Sequence, residues 1–195
     1  ASTEKAPQRE WPEPRPAPAP SVLPGYPAGS SFLDAVAGGR SPRALWQAAA
    51  VAGEAGDLLG GVVEAVDAAL RSGRSALVVF PTVRELQRAT PRFHEVFGAG
   101  AVGSLAFEAG QSARYRAYLA ASRGQARIML GTRAASFAPL RDLGLIVVVD
   151  DGNDAHSDPR TPHPHSRTVA VLRAAHESAA LLLAGHGRST DAQAL

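Results

Sequence analysis

The chain contains no cysteine, which excludes disulfides and thiolate-bound metal centres within it and needs no compartment other than the cytosol. Lysine is nearly absent as well: Lys5 stands alone against many arginines, a swap that a GC-rich coding bias explains most simply. The folded part therefore offers no ammonium group for phosphate binding, Schiff-base chemistry or general-base work. No uninterrupted apolar segment approaches the roughly 20 residues of a membrane span. The amino end has neither a signal-type apolar core nor a starting Met, so the expectation is a cytoplasmic, membrane-free piece of a longer protein.

What is present bounds the rest. With 195 residues, 45% of them hydrophobic, the chain can bury one sizeable core. A net charge of +2 with both signs scattered permits nucleic acid as a partner without demonstrating it. The density of proline in residues 1–30 predicts an extended linker, with the folded unit occupying 31–195. Phe32 to Val36 starts a possible first helix. Ser41-Pro42 reads as an N-cap and first-turn proline before a helix through Ala44, Leu45, Trp46 and Ala48 to Ala50. Gly53, Gly56, Gly60 and Gly61 read as loop.

Beyond them the periodicity predicts an amphipathic helix near Leu58 to Ser72, closed by Gly73. A strand at Ala76 to Phe80 follows, then a capping box at Thr82 to Glu85 that opens a helix. Pro91 either kinks that helix or divides it from a second one at Phe93 to Phe97. Strands are expected at Ala101 to Leu105, Arg127 to Leu130, Leu145 to Val149 and Ala180 to Ala184. Helices are expected at Ser112 to Ser122, with Tyr115, Tyr118 and Leu119 on its apolar face, and at Thr168 to His176. This alternation predicts an α/β fold with a parallel sheet covered by helices on both faces.

The stretch from Gly131 to Asp154 organises the rest. Leu145 to Val149 is an unbroken aliphatic run ending in Asp150 and Asp151, which suits a doubly buried strand whose carboxyl end opens on a site. The segment Gly-Thr-Arg-Ala-Ala-Ser-Phe-Ala-Pro (131–139) leading into Leu-Gly-Leu-Ile-Val-Val-Val-Asp-Asp (143–151) resembles the primosomal protein N-prime (PriA) family. These are replication-restart helicases of superfamily two, whose Gly-Thr-Arg-Ser-Ala-x-Phe-x-Pro runs into Leu-Gly-x-Ile-x-Val-Asp-Glu-Glu-His at nearly this spacing. Ser75 to Pro81 and Arg167 to Leu183 extend the likeness, which covers Ser41 to Leu195 and implies a first RecA-like lobe.

Departures from the family pattern imply a degenerate motor. Ala-Val-Ala-Gly-Glu-Ala-Gly-Asp (50–57) replaces the Gly-rich turn ending in Lys-Ser/Thr, so Glu54 and Asp57 stand where phosphate would sit. Val149 replaces the carboxylate that would hold magnesium, which leaves Asp150 and Asp151 as vestiges of a nucleotide site. Gly185-His-Gly-Arg replaces the coupling motif. The expectation is a DNA-binding restart protein without ATPase activity or a bound cofactor, working at the nucleoid with other primosome proteins. The alternatives are a still-active 3′–5′ helicase lobe, a pure protein-interaction scaffold, and a metal-dependent hydrolase built on His156, Asp158, His163 and His165. A surface loop is the plainer reading of those four residues.

The resemblance puts Thr132 and Arg133 in a motif that contacts the DNA backbone, and Thr82 and Arg84 in a second one. Against this, Thr132 reads equally as a helix cap and Arg133 as the partner of Asp142 or Asp150, while the capping box explains Thr82. Phe137 reads as core, and Asp150, Asp151 and Asp154 as a solvated acidic tip. Arg114, Arg116, Arg123 and Arg127 form a possible basic face.

Overall fold

The computed structural model describes residues 21–51, 57–105 and 110–194. Its elements are α1 (Gly29–Ala37), β1 (Arg43–Gln47), α2 (Leu58–Arg71), β2 (Ser75–Val79), α3 (Val83–Phe97), β3 (Val102–Leu105), α4 (Gly110–Ser122) and β4 (Ile128–Gly131). They continue with β5 (Leu143–Val149), α5 (Ser166–His176), β6 (Ala180–Gly185) and α6 (Thr190–Gln193). Short 3-10 turns form at Leu23–Gly25, Arg133–Phe137 and Asp154–His156.

The six strands pair in parallel in the order β1-β6-β5-β2-β4-β3. Strands β2 and β5 are buried along their whole length, which is why they read as continuous aliphatic runs rather than alternating ones. Their side chains alternate between two cores. Ala76, Val78, Leu145 and Val147 pack with α1, α2 and α3, whereas Leu77, Val79, Ile146 and Val148 pack with α4 and α5.

Within residues 41–50, Arg43–Gln47 form a strand where a helix is expected. Ala44 and Trp46 join one core and Leu45 the other, a period-2 pattern that pairing with β6 from Arg43 to Gln47 reinforces. Helical propensity loses here to an open sheet edge. Gly60 and Gly61 belong to α2, not to a loop, because the Trp46 ring crosses that helix: a Cβ on Gly61 would lie 2.3 Å from the indole. Pro91 lies inside one continuous α3. Leu86 and Ala89 before it and Phe93 after it are all buried on the sheet, so packing holds the two halves in line.

The expected linker also ends earlier than residue 30. Residues 1–20 lie outside the described ones, but Val22 and Leu23 are core residues. The Glu64 carboxylate of α2 accepts three backbone amides, from Ser21 at 2.6 Å, Val22 at 2.8 Å and Leu23 at 2.9 Å. A single acidic side chain thus fastens the entry of the lobe. The capping box stands as expected, with Thr82 Oγ1 accepting Glu85 N and Glu85 Oε2 accepting Thr82 N at 3.2 Å. Among the described residues no helix is long and apolar enough to cross a membrane.

Candidate functional site

In a parallel sheet covered by helices, ligands gather at the carboxyl ends of the strands. Here that edge divides into two halves of opposite character.

The half above β1, β6 and β5 is tied up by its own side chains. At the start of α2 the Asp57 carboxylate accepts Gly60 N at 2.8 Å, taking a helix-terminal amide that in a nucleotide-binding lobe would face phosphate. Glu54 lies outside the described residues. Beyond the neighbouring strand ends, Gln47 Nε2 donates to His186 O at 3.2 Å, and His186 Nδ1 lies 3.4 Å from Ala48 O. Of Gly185-His-Gly-Arg, Gly185 is buried at the end of β6, while His186, Gly187 and Arg188 are exposed.

Asp150 follows Val149 in a left-handed conformation, with φ of 51°. Its carboxylate accepts Asn153 Nδ2 at 3.3 Å. Asp151 does not belong to a solvated tip. It is 3% exposed and accepts Arg167 Nη1 at 2.8 Å and Ser189 Oγ at 2.5 Å. Arg167, also buried, reaches on to Asp191 at the start of α6. The chain brings these groups together because a carboxylate at the end of a buried strand needs a partner. Of the three acids, Asp154 alone is exposed.

The loop after β5 departs from the expected surface loop in the same way. His156 is fully buried. Its Nε2 lies 2.8 Å from Val149 O, and a carbonyl only accepts, so Nε2 carries the proton and Nδ1 keeps a lone pair that has no partner. Burial pushes the His156 pKa below its ordinary value. The His165 ring sits 5.8 Å away and caps α5 by accepting Arg167 N at 3.1 Å. Its pKa is lowered too, first by burial and then by Arg167. His163 is exposed, with Nδ1 3.0 Å from Asp158 O. Among the described residues no group of three or more His, Cys, Asp or Glu is placed to hold a metal.

The half above β2, β4 and β3 is open. Val79 pairs with Gly131, so Thr82 and Arg84 after β2 and Thr132 and Arg133 after β4 leave the sheet at one level. The Thr82 hydroxyl is engaged in its capping box, while Arg84 is exposed. Thr132 precedes a 3-10 turn without a side-chain cap bond, contrary to its reading as a cap. Arg133 pairs with neither Asp142 nor Asp150. Its Nε lies 3.7 Å from Asp158 Oδ2 and its Nη1 donates to Ala155 O at 3.4 Å.

Arg133, Phe137, Tyr115 and Tyr118 line a groove of about 560 Å³ together with Arg160 and Asp158. Phe137 is 59% exposed, Tyr115 63% and Tyr118 47%, so none of the three is core. Among the α4 side chains described, the one fully buried is the small Ala121. Arg127 is not part of this side. It precedes β4 at the opposite end of the sheet, where Nη2 donates to Arg74 O at 3.1 Å and burial lowers its pKa.

Sequence reasoning missed the aromatic groove, Arg160 and the Arg167 network. A Tyr-x-x-Tyr pair preceded by Arg114 and interrupted by Arg116 was the available signal for the groove. Nothing local marked Arg167, whose partners come from distant segments.

No protein-family model matches the chain. It is 40% identical over 177 residues to the probable replication restart protein PriA of Mycobacterium tuberculosis (strain CDC 1551 / Oshkosh), covering 90% of this chain and 26% of that protein. It is 41% identical over 174 residues to the probable replication restart protein PriA of Mycobacterium leprae (strain TN), covering 87% and 26%. Among solved structures, the helicase domain of Pyrococcus furiosus Hef superposes with a TM-score of 0.52 at 14% identity, over 88% of this chain and 34% of that one, a likeness of fold. The chain thus belongs to the PriA replication restart family, as a RecA-like lobe that spans about a quarter of the length of these mycobacterial relatives.

Proposed function

We propose that this lobe serves replication restart as a DNA-contacting scaffold that neither binds nor hydrolyses ATP. The reading is carried by the start of α2, where the Asp57 carboxylate accepts Gly60 N at 2.8 Å. A phosphate brought to that amide would meet a carboxylate already in place. Val149 at the end of β5 supports the same conclusion, because a motor lobe needs a carboxylate there to hold magnesium. Asp150 then has no activated water to deprotonate, and Asp151 is committed to Arg167.

The restart role rests on the names of the mycobacterial relatives. Forked or single-stranded DNA is the proposed partner, contacted through its backbone by Thr132 and Arg133, with Arg84 on the neighbouring strand end and Thr82 held as a fixed cap. Other restart proteins would dock on the remaining surface and on further domains. A few arginines release few counterions, so the salt dependence contributed by this lobe should be shallow.

Calorimetric titration of the full-length protein tests the proposal. ATP with magnesium should give no binding heat, while forked DNA binds. Measurable ATP affinity would restore the active-helicase reading, and absence of DNA binding at every salt concentration would leave a protein scaffold. Arg133→Ala should weaken fork binding at low salt, and unchanged affinity would remove Arg133 from the interface.

A further inference from the structure

We infer that the entry segment of the lobe, residues 21–26, is a built-in strap that keeps the corner between β1 and α2 in order, a task that bound nucleotide performs in a motor lobe. The inference rests on the nucleotide-free reading above and deepens it by naming what takes the nucleotide's place.

Both ends of the connection between β1 and α2 are gripped by this one segment. On the β1 side, the Tyr26 hydroxyl accepts Ala49 N at 2.8 Å. The Tyr26 ring stands edge-on to Trp46, with centroids 5.5 Å apart and planes at 79°, and Trp46 in turn crosses α2 at Gly61. On the α2 side, Val22 lies over the first turn of the helix. A Cβ on Gly60 would come within 3.2 Å of Val22 Cγ2 and closer still to the Asp57 carboxylate that caps the helix. One turn further on, Glu64 accepts the amides of Ser21, Val22 and Leu23.

This grip exceeds what anchoring requires. Val22 and Leu23 are 4% and 3% exposed, so apolar burial alone would hold them in place. A carboxylate that accepts backbone amides adds charge-assisted bonds, about twice as strong as neutral ones, and their convergence on Glu64 fixes direction as well as position. Pro24 restricts the turn that follows, and Gly29 makes room for the Leu23 carbonyl where any Cβ would collide. A plain tether needs none of these features. Without the strap, Ala49 N loses its acceptor and Gly60 its apolar cover, so strap and corner should open as one unit. Their influence on each other is then reciprocal.

Hydrogen exchange of the full-length protein, resolved to single amides by mass spectrometry, tests the strap. Glu64→Gln keeps the shape and removes the charge. It should speed exchange at Ser21, Val22 and Leu23 about tenfold or more, and speed Ala49 and Gly60 in the same direction. Tyr26→Phe deletes only the hydroxyl beside Ala49, yet should speed exchange at Val22 and Leu23 as well. Amides of Val78 and Val147, in the middle of the sheet, are the reference and should keep their rates. In the unmodified protein, exchange measured in rising low urea should show Val22, Leu23, Ala49 and Gly60 merging into one opening with a common urea dependence.

Separate openings of strap and corner in the unmodified protein would overturn the inference, as would faster exchange confined to residues 21–23 in Glu64→Gln. Either result leaves the nucleotide-free reading standing. Protection of Ala49 and Gly60 on adding ATP with magnesium would instead remove that reading itself. Should Val78 and Val147 also speed up in a variant, the variant is destabilised throughout and the urea series on the unmodified protein decides.

Discussion

The two halves of the sheet's carboxyl edge, built on one set of parallel strands, have taken opposite courses. Above β1, β6 and β5, polar groups satisfy one another: Asp57 with Gly60 N, Gln47 with His186, and Asp151 with Arg167 and Ser189. Above β2, β4 and β3, three rings and several guanidinium groups face solvent across a groove. The buried Asp151–Arg167 pair contributes stability, whereas the exposed rings of the other half contribute little. The contrast teaches that one parallel sheet can present a polar-paired half and a solvent-open half along the same edge.

The largest effect that would sharpen this contrast is expected at Arg167. Arg167→Ala leaves the buried Asp151 carboxylate without its cation, which should cost about 3–5 kcal/mol and lower the melting temperature by on the order of 10 °C. A change within experimental error would break the claim that this corner is held by ion pairing. The opposite face should behave in reverse: replacing Tyr115 and Tyr118 by alanine should cost less than about 0.5 kcal/mol of stability, as exposed positions do. Urea unfolding of the variants separates the two.

A smaller effect concerns pH. The folded-state pKa of His156 is depressed by burial, so the unfolded chain takes up a proton first as pH falls below about 6.5. The ring's contribution is therefore fully present above that value and is lost as pH drops toward the folded-state pKa. His165 acts with the same sign. His156→Gln should flatten the dependence of unfolding free energy on pH between about 5 and 7 without abolishing it, and an unaltered slope would show that His156 titrates freely. The smallest expected effect is at Asp57. Removing the cap by Asp57→Ala should cost about 1 kcal/mol and still give no ATP binding, since Val149 is unchanged.

Much of the fold was legible because buried strands announce themselves. Leu145 to Val149 and Ala180 to Ala184 are too short and too uniformly aliphatic for surface helices, and the Thr82–Glu85 box marks a helix start by its own chemistry. Edge strand β1 was not legible, since its five residues carry an N-terminal Ser-Pro and an alanine-rich tail that mimic a helix, and only the pairing with β6 decides otherwise. At the site, sequence and family likeness singled out Thr132, Arg133, Thr82 and Arg84, which follow β4 and β2 at the carboxyl edge of the sheet. They misjudged burial in both directions: His156 and Asp151 are inside because Val149 O and Arg167 reach them from other segments, and Phe137 is outside because the 3-10 turn buries Ala135 and Ser136 instead. Such contacts depend on distant residues, which local pattern does not encode.

The central claim is that one half of this edge is closed to nucleotide while the other remains open to DNA. Calorimetry on the full-length protein, titrated with ATP and magnesium and then with a single strand in the presence and absence of that nucleotide, tests it most directly. The account predicts no heat from ATP and one strand affinity that nucleotide leaves unchanged. Stoichiometric ATP binding, or a strand affinity that shifts when ATP is added, would contradict it.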